Sequence, residues 1–393
     1  MSPAENTKQS SHRVGAYRRQ PTGYTAFVPA PFPPRDLKLD DDLILALSRA
    51  DRALARLDGA ASVLPDVDLF ISMYVFQEAT QSSQIEGTEA TLADVVGAEV
   101  DPPPPERRDA VHEIQNYVKA LRHGLERLAE MPVSLRLIRE IHKVLMTGVR
   151  GGEPGRTPGE FRLTQNWIGG SAPSNARFVP PPVEDMKDAL QEWERAIHQE
   201  EQLPPLVRVG LLHGQFETIH PFLDGNGRVG RLLITFLLTE WKILTQPLLY
   251  LSIFFKTHQD EYYERLQATR DKGDWEGWLR FFVDGVAETA TGATTTVRRI
   301  LELRERDRGR LSTLGRRSGR AYALHDHLFS SPVVNARTVE RVLGVSQPTA
   351  NSLLRDLESI GLLTEWTGRQ RNRSWLYSEY FNIFVGSPGD SED

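Results

Sequence analysis

The run His220-Pro221-Phe222-Leu223-Asp224-Gly225-Asn226-Gly227-Arg228-Val229-Gly230-Arg231 joins two apolar helical segments, and its reading decides how the rest of the chain is organised. Upstream, Leu206, Val209, His213, Phe216 and Ile219 recur at helical spacing after Pro204-Pro205, so one face packs inward until Pro221 stops the helix. His220 therefore ends a helix. Downstream, Leu232 to Leu238 is apolar nearly all round, which a helix tolerates only when other helices surround it. The spacing predicts a mainly helical fold with this second helix at its centre.

The joining loop carries the chemistry. Gly225-Asn226-Gly227 lets the backbone turn its N–H groups toward one point, because glycine has no Cβ to forbid the dihedrals, and that makes an anion cradle. Arg228 and Arg231 follow at i, i+3 in the first turn of the buried helix, where a cation opposes the positive end of the dipole. A bound phosphate chain would relieve that conflict. Asp224 is the loop's carboxylate, and magnesium commonly takes one or two carboxylates plus substrate phosphates and water. His220, at the rim, can take a proton from an attacking hydroxyl. Each feature also has an ordinary reading: histidine before proline ends helices, and Asp-Gly-Asn-Gly makes turns. Their conjunction points to a phosphate site. Gly225 to Gly230 also satisfies G-x-G-x-x-G, but a helix precedes it and no Walker lysine follows, so a dinucleotide-binding reading fails on context.

The run fits H-x-F-x-[D/E]-G-N-G-R-x-x-R at every specified position, and from roughly Asp68 to Ala290 the chain resembles the Fic family of AMP transferases. The resemblance implies a nucleotidyltransferase that moves AMP from ATP to a Ser, Thr or Tyr hydroxyl of a target protein or of itself. It implies His220 as general base and Asp224 as the Mg2+ ligand. Gly225, Asn226, Gly227, Val229 and Gly230 would line the ATP phosphates, Arg228 and Arg231 would neutralise the outer ones, and Phe222 would anchor the loop.

A second stretch, Gln81 to Thr88, ends an apolar helix that runs from Val67 through Met73 and Phe76. Its ordinary reading is a helix C-terminus with a solvated acid. Yet Glu86 at the negative end of a helix would gain from a cationic partner, and the glycine loop has two arginines. Ser82-x-x-x-Glu86-Gly87 is similar to the inhibitory motif [S/T]-x-x-x-E-[G/N] of autoinhibited Fic proteins, here N-terminal to the core. The resemblance implies that Glu86 pairs with Arg231, displacing the γ-phosphate and misaligning the α-phosphate for in-line attack. A carboxylate there could also position water, so removal of AMP is a variant of the same reading.

Residues 1 to 35 are polar and proline-rich and are expected to form a flexible arm. Helical spacing through Leu43, Leu47, Leu54 and Leu57, then Val111 to Leu128, predicts an N-terminal helical region over 36–130, with the core over 131–290. His112-Glu113 lacks a second histidine at metalloprotease spacing, so zinc is excluded there. Asn166 to Gly170 reads as a strand, with Arg177 to Pro180 as its partner in a short hairpin. In the family such a hairpin is a flap over the target segment, implying that Ile168, Gly169, Gly170 and Ser171 line the nucleotide. The resemblance also implies adenosine contacts at Tyr263 and Arg270, where many relatives carry Asn at the second position. Paired tyrosines on a helix are otherwise core packing. Trp275 to Val286 is expected to close the core, and a separate arginine-rich helix to link over 291–320.

The remainder, 321–385, reads as a helix, a glycine turn at Gly344 and a second helix from Gln347, followed by two strands, Ile360 to Leu363 and Ser374 to Tyr377, around the basic turn Arg369 to Arg373. It resembles a winged helix. Fifteen arginines against nine acids lie between Arg298 and Tyr380, in a chain whose net charge is −6. Duplex DNA is thus one expected partner, with dimerisation or target docking as the other use, since the second helix carries Arg355 beside Asp356 and Glu358. A different class of function follows: a DNA-binding regulator whose Fic core senses a nucleotide. Transfer of phosphocholine is a third reading, which Arg231 disfavours by suiting a triphosphate donor. A homodimer is expected, and no membrane partner, since no apolar run reaches transmembrane length. With no cysteine among 393 residues, disulfides are excluded and a cytoplasmic location is expected.

Overall fold

The structure is a computed structural model and describes residues 13–385 except 63, 65–66, 153–155 and 200–201. It is mainly helical with two small antiparallel sheets. Its contacts divide the chain into two compact units, one of Met1–Leu54 with Asn116–Thr289, the other of Ala55–Gln115 with Ala290–Asp393. No helix among the described residues is long and apolar enough to cross a membrane.

The first unit begins with strands β1 (Ala16–Arg19) and β2 (Thr25–Val28), paired antiparallel with Ala16 opposite Val28. The sequence reading expected a flexible arm here. Instead a turn at Gly23 (φ 93°) closes a hairpin whose Phe27 is buried against Phe178, with the Phe27 N–H donating to the Val179 carbonyl at 2.9 Å. Residues 1–12 of that arm lie outside the described residues. Then come α1 (Asp41–Ala61), α4 (Arg108–Leu128), α5 (Leu135–Met146), α6 (Val183–His198), α7 (Pro205–Ile219), α8 (Asn226–Glu240), α9 (Ser252–Thr257), α10 (Gln259–Lys272) and α11 (Trp275–Ser312), of which α1, α4 and α11 contribute residues to both units, while α2 (Val67–Ile85) and α3 (Leu92–Gly97) belong to the second.

Helix α7 starts with proline at its first position, where the missing N–H costs nothing, and is buried from Leu206 to Ile219 at every residue except Arg208. Its glycines are where neighbours come close: a Cβ on Gly210 would lie 2.9 Å from Leu279 and Phe282 atoms. The indoles of Trp193 and Trp278 donate to the Leu212 and Gly210 carbonyls of α7, each at 2.8 Å. Helix α8 packs against it, and Leu232 to Leu238 are all buried. Packing, not propensity, holds both helices, and the polar residues they bury include His213 and Glu217 on α7 and Arg228 and Arg231 on α8.

Helix α11 corrects a second expectation. In place of a core helix and a separate linker helix, one helix of 38 residues runs from Trp275 to Ser312. No proline interrupts it, and Gly285 is filled from outside, since a Cβ there would lie 2.5 Å from the Phe254 ring.

The second unit contains α12 (Ser318–Leu328), β3 (Val333–Asn335), α13 (Ala336–Leu343), α14 (Gln347–Ser359), β4 (Thr364–Glu365), β5 (Ser374–Leu376) and α15 (Ser378–Val385). The sheet order is β3-β5-β4, with Leu376 opposite both Val333 and Thr364. Asn335 caps α13 by accepting from the Thr338 N–H, and Gly344 in the left-handed region ends it. This is a winged helix-turn-helix. The first wing strand falls later than expected: Leu362 and Leu363 are buried in the approach, and pairing starts at Thr364. Beneath the wing, the buried Asp307 carboxylate accepts from the Tyr377 hydroxyl at 2.5 Å.

Candidate active site

His220 is the residue after α7, and its backbone lies in the left-handed region, φ 50°, ψ 61°. For a residue with a side chain this conformation costs about 1–2 kcal/mol, so something must hold it. Two buried donors do. The Arg162 Nε and the Asn166 Nδ2 each donate to the His220 carbonyl at 3.0 Å. Arg162 also donates to the carbonyls of Pro181 at 2.5 Å and Thr164 at 3.3 Å, and its own N–H reaches the Pro221 carbonyl at 2.9 Å. Hydrogen bonds from a charged donor contribute about 1.5–3 kcal/mol each, enough to offset the strain. Burial lowers the Arg162 pKa to about 10, which still leaves it cationic at neutral pH.

The loop after His220 is closed by Asn226. Its Oδ1 accepts from the Phe222 N–H at 2.8 Å and its Nδ2 donates to the Phe222 carbonyl at 2.9 Å. The side chain expected to touch phosphate thus shapes the turn, and the backbone is what the turn offers an anion. Gly225 stands at φ 76° as the N-cap of α8, and the first intrahelical bond is Val229 N–H to the Gly225 carbonyl. The N–H groups of Asn226, Gly227 and Arg228 precede it, as the first turn of any helix leaves its donors to outside acceptors. Phe222 is fully buried and stacks on His142, ring centroids 3.7 Å apart and planes 4° apart.

His142 fixes the loop from beneath. Its Nδ1 accepts from the Gly159 N–H at 2.8 Å, so the proton sits on Nε2, which donates to the Asp224 carbonyl at 3.0 Å. Burial pushes its pKa down to about 4, so the ring stays neutral. The Asp224 carboxylate is half exposed, with Oδ1 accepting from the Gly225 N–H at 2.6 Å and lying 3.6 Å from Arg228 Nη2. A Cβ on Gly151 would sit on Asp224 Oδ2, so only glycine fits beside that oxygen. Arg228 and Arg231 are both buried, as is Glu217, whose Oε1 would meet a Cβ on Gly230. Gly230 therefore lets α7 and α8 approach, while Val229 is core.

The expected flap is shorter than a hairpin. Ile168 and Phe178 form a single antiparallel bridge, the Ile168 N–H donating to the Phe178 carbonyl at 2.8 Å. Gly169 and Gly170 take positive φ, 69° and 75°, which turns the chain too sharply for a ladder to continue. Beyond them Ser171 and Ala172 N–H groups bond to Asn175 Oδ1. Ile168, Gly169, Gly170 and Ser171 thus form an open turn, with Trp167 39% exposed beside it.

Arg270, expected on the adenosine side, is instead buried. It donates to Thr218 Oγ1, the Glu217 carbonyl and Gln267 Oε1 at 3.2–3.3 Å, and its guanidinium lies 3.9 Å above the Phe178 ring. It braces the end of α7 against the flap's returning strand. Tyr263 stays half exposed with the Arg177 guanidinium 5.8 Å from its ring, whereas its neighbour Tyr262 is core and donates to His213 Nε2 at 3.0 Å. His213 Nδ1–H donates to the Gly230 carbonyl at 2.9 Å, and burial pushes its pKa down to about 3.

The second-unit segment ends α2 as a glycine cap should: Gly87 takes φ 89°, and the Thr88 N–H bonds back to the Ser83 carbonyl at 3.1 Å. Ser82 is fully buried and Glu86 is exposed. Thr88 Oγ1 donates to Glu113 Oε2 at 2.8 Å, which fixes the chain just past the cap.

Sequence reasoning found the loop but missed Arg162, Asn166, His142 and Gly151. A charged residue in a glycine-rich loop gives no periodic sign of burial, and the three that hydrogen-bond to the loop, Arg162, Asn166 and His142, do so from 54 to 82 residues away.

Residues 44–126 match the Fic/DOC family N-terminal domain, residues 132–238 the Fic/DOC family, and residues 323–376 an HTH DNA binding domain. The protein adenylyltransferase Fic of Drosophila virilis is 28% identical over 258 residues, 64% of this chain and 48% of that protein. That of Drosophila grimshawi is 32% identical over 162 residues, 41% of this chain and 30% of its own. The chain thus spans a third to a half of the length of these curated relatives. Among solved structures, a Fic family protein from Desulfovibrio desulfuricans G20 is similar in fold, with a TM-score of 0.55 at 18% identity over 86% of this chain and 97% of that one. A Fic domain containing signaling protein from Bacteroides thetaiotaomicron VPI-5482 has a TM-score of 0.51 at 17% identity over 63% and 95%. Across residues 44–238 the chain belongs to the Fic/DOC family, and it carries a helix-turn-helix domain behind that core.

Proposed function

We propose that the chain is a protein adenylyltransferase, moving AMP from ATP to a Ser, Thr or Tyr hydroxyl of a protein, itself included. The observation that carries this reading is the juxtaposition of His220, held in a strained backbone at the end of α7, with the glycine-led N-terminus of α8 and its two buried arginines. The helix N-terminus and the guanidinium groups suit a polyphosphate. The His220 imidazole takes the proton of the attacking hydroxyl. A bond forms between that oxygen and the α-phosphorus as the bond to the bridging oxygen breaks, and pyrophosphate leaves. Asp224, a half-exposed hard oxygen donor beside Gly151, fits Mg2+, which when bound would neutralise charge on the phosphates. The flap turn at Ile168 to Ser171 is open to a target segment, and Tyr263 suits the adenosine side better than the buried Arg270.

Glu86 is the restraint in this reading, supported by its motif and by the fixed glycine cap that presents it. The experiment is incubation of Glu86→Gly with ATP and magnesium, scored by intact-mass gain of one AMP on the chain. Gain above the native protein is expected; equal gain sinks the restraint, and no gain with any protein from a lysate sinks the transfer. The absence of cysteine suits a reducing cytoplasm, and self-modification between chains suits a homodimer. A second reading, a DNA-binding regulator with a nucleotide-sensing core, is favoured by the helix-turn-helix match; it expects ATP to bind without ever being consumed.

A further inference from the structure

Within the second unit, the winged helix is seated on the segment that follows the Glu86 motif. Four contacts run in order along residues 97–101. The Trp366 ring covers Gly97, where a Cβ would lie 2.5 Å from Cη2. Ser331 Oγ donates to Glu99 Oε2 at 2.5 Å, and Asn335 Nδ2 to the Val100 carbonyl at 3.5 Å. Arg369, at the wing, pairs with Asp101 at 2.6 Å. Behind them, α15 rests on α2: Gln77 Nε2 donates to the Phe384 carbonyl at 2.8 Å, and Tyr74 meets the Phe384 ring edge-on at 5.2 Å. One domain therefore holds both the helix that ends in Ser82 to Gly87 and the helix, α3, that follows it.

The same domain has a face suited to duplex DNA. Gln347, Asn351 and Arg355 recur at i, i+4, i+8 along α14 with Arg355 exposed, and Arg316, Arg317 and Arg320 are exposed at the start of α12 beside it. Arg317 reaches across to Asp356 and Ser352 of α14, so its cation borders the helix that would enter the groove. The wing would supply the flanking phosphate contact, and its best placed cation is Arg369. That side chain and Asp101 are both about half exposed, and a pair so exposed is weak enough for a phosphate to replace its carboxylate.

We propose that duplex DNA and the α3 segment compete for the wing, so that DNA occupancy loosens residues 97–101 and with them the seat of the Glu86 motif. By linkage, whatever DNA costs the α3 seat, loss of that seat returns as DNA affinity. The competition needs no nucleotide, so it stands or falls apart from AMP transfer; only its effect on transfer would rest on that reading.

The test uses the full chain and a fluorescein-labelled 20-base-pair duplex of arbitrary sequence. Gly97→Val drives Trp366 off α3 without changing any charge, and should tighten binding about three-fold in anisotropy titrations. Asp101→Asn, which keeps the shape of the seam, should do the same, and adding Arg369→Gln to it should remove the gain and make the salt dependence shallower by about one phosphate contact. On the native protein, saturating duplex should speed amide hydrogen exchange over residues 92–101 while slowing it over 347–359. No binding of the duplex, unchanged affinity in both seam variants, or exchange over 92–101 that slows with DNA would each overturn the proposal.

Discussion

The guanidinium of Arg162, 1% exposed, donates from Nε to the backbone carbonyl of His220 over 3.0 Å. A buried arginine that donates to the His220, Thr164 and Pro181 carbonyls is an organiser of backbone rather than an ion-pair partner. Arg162→Met removes these donors while keeping much of the volume. The expected result is a kcat for AMP transfer lower by about ten- to a hundred-fold, the equivalent of one or two charged hydrogen bonds. The Kd for ATP should stay within about three-fold, because the α8 N-terminus is closed separately by Asn226. Asn166→Ala should act in the same direction. Rapid-quench kinetics beside calorimetric binding separates the two quantities, and a loss of affinity at constant kcat would contradict this role.

Gly225 has two reasons to be glycine. Its φ is 76°, and a Cβ would lie 2.7 Å from the Met146 sulfur. Gly225→Ala is expected to destabilise the fold by about 1–3 kcal/mol in urea unfolding, through left-handed strain plus a forced shift of Met146. Full stability in that variant would mean that the loop relaxes freely and is not preorganised.

Arg270 and Tyr263 are expected to separate in their effects. Arg270→Leu leaves the Glu217 carbonyl and Thr218 hydroxyl without their donor, so unfolding should cost about 1–3 kcal/mol less. Tyr263→Leu should leave stability within about 0.5 kcal/mol and weaken ATP binding instead. Calorimetric titration and thermal unfolding on both variants check this, and the reverse pattern would return Arg270 to the nucleotide.

His213 gives the acid limb a sign. Its folded pKa, about 3, lies below the unfolded value of about 6.5, so the folded state takes up the proton less readily. Its share of stability is complete above about pH 6.5 and declines as pH falls, by up to about 1.4 kcal/mol per pH unit. The unfolding midpoint should therefore drop between pH 7 and 5. His213→Gln, which can still donate to Gly230 and accept from Tyr262, should show a shallower drop over that range; an equal slope would mean that His213 is not held neutral.

The loop, the helices on either side and the winged helix were legible because their signals are local: a helical period, two glycines, a proline stop and a glycine turn. What escaped depends on distant partners. The β1–β2 hairpin has strands of four residues, too short for a period, and is held by Phe27 against Phe178. The unbroken α11 was hidden by glycines that Phe254 fills in one case. Tyr262 and Tyr263 differ by one position on a helix, and only the fold tells which one meets His213. Arg270, which the resemblance placed on the adenosine side, is buried over an aromatic ring that lies 92 residues earlier in the chain and so left no local sign. Arginine in a loop gives no sign of depth, so Arg162 was invisible.

The central claim is that a nucleotide's phosphates rest at the head of α8 within reach of His220. Its most direct test is incubation of Glu86→Gly, and of the Glu86→Gly, His220→Ala double variant, with magnesium and ATP labelled at either the α- or the γ-phosphorus. Label retained on protein from the α-position alone, and lost with the imidazole, is the expected outcome. Retention of the γ-label, or undiminished α-labelling without His220, would contradict the account.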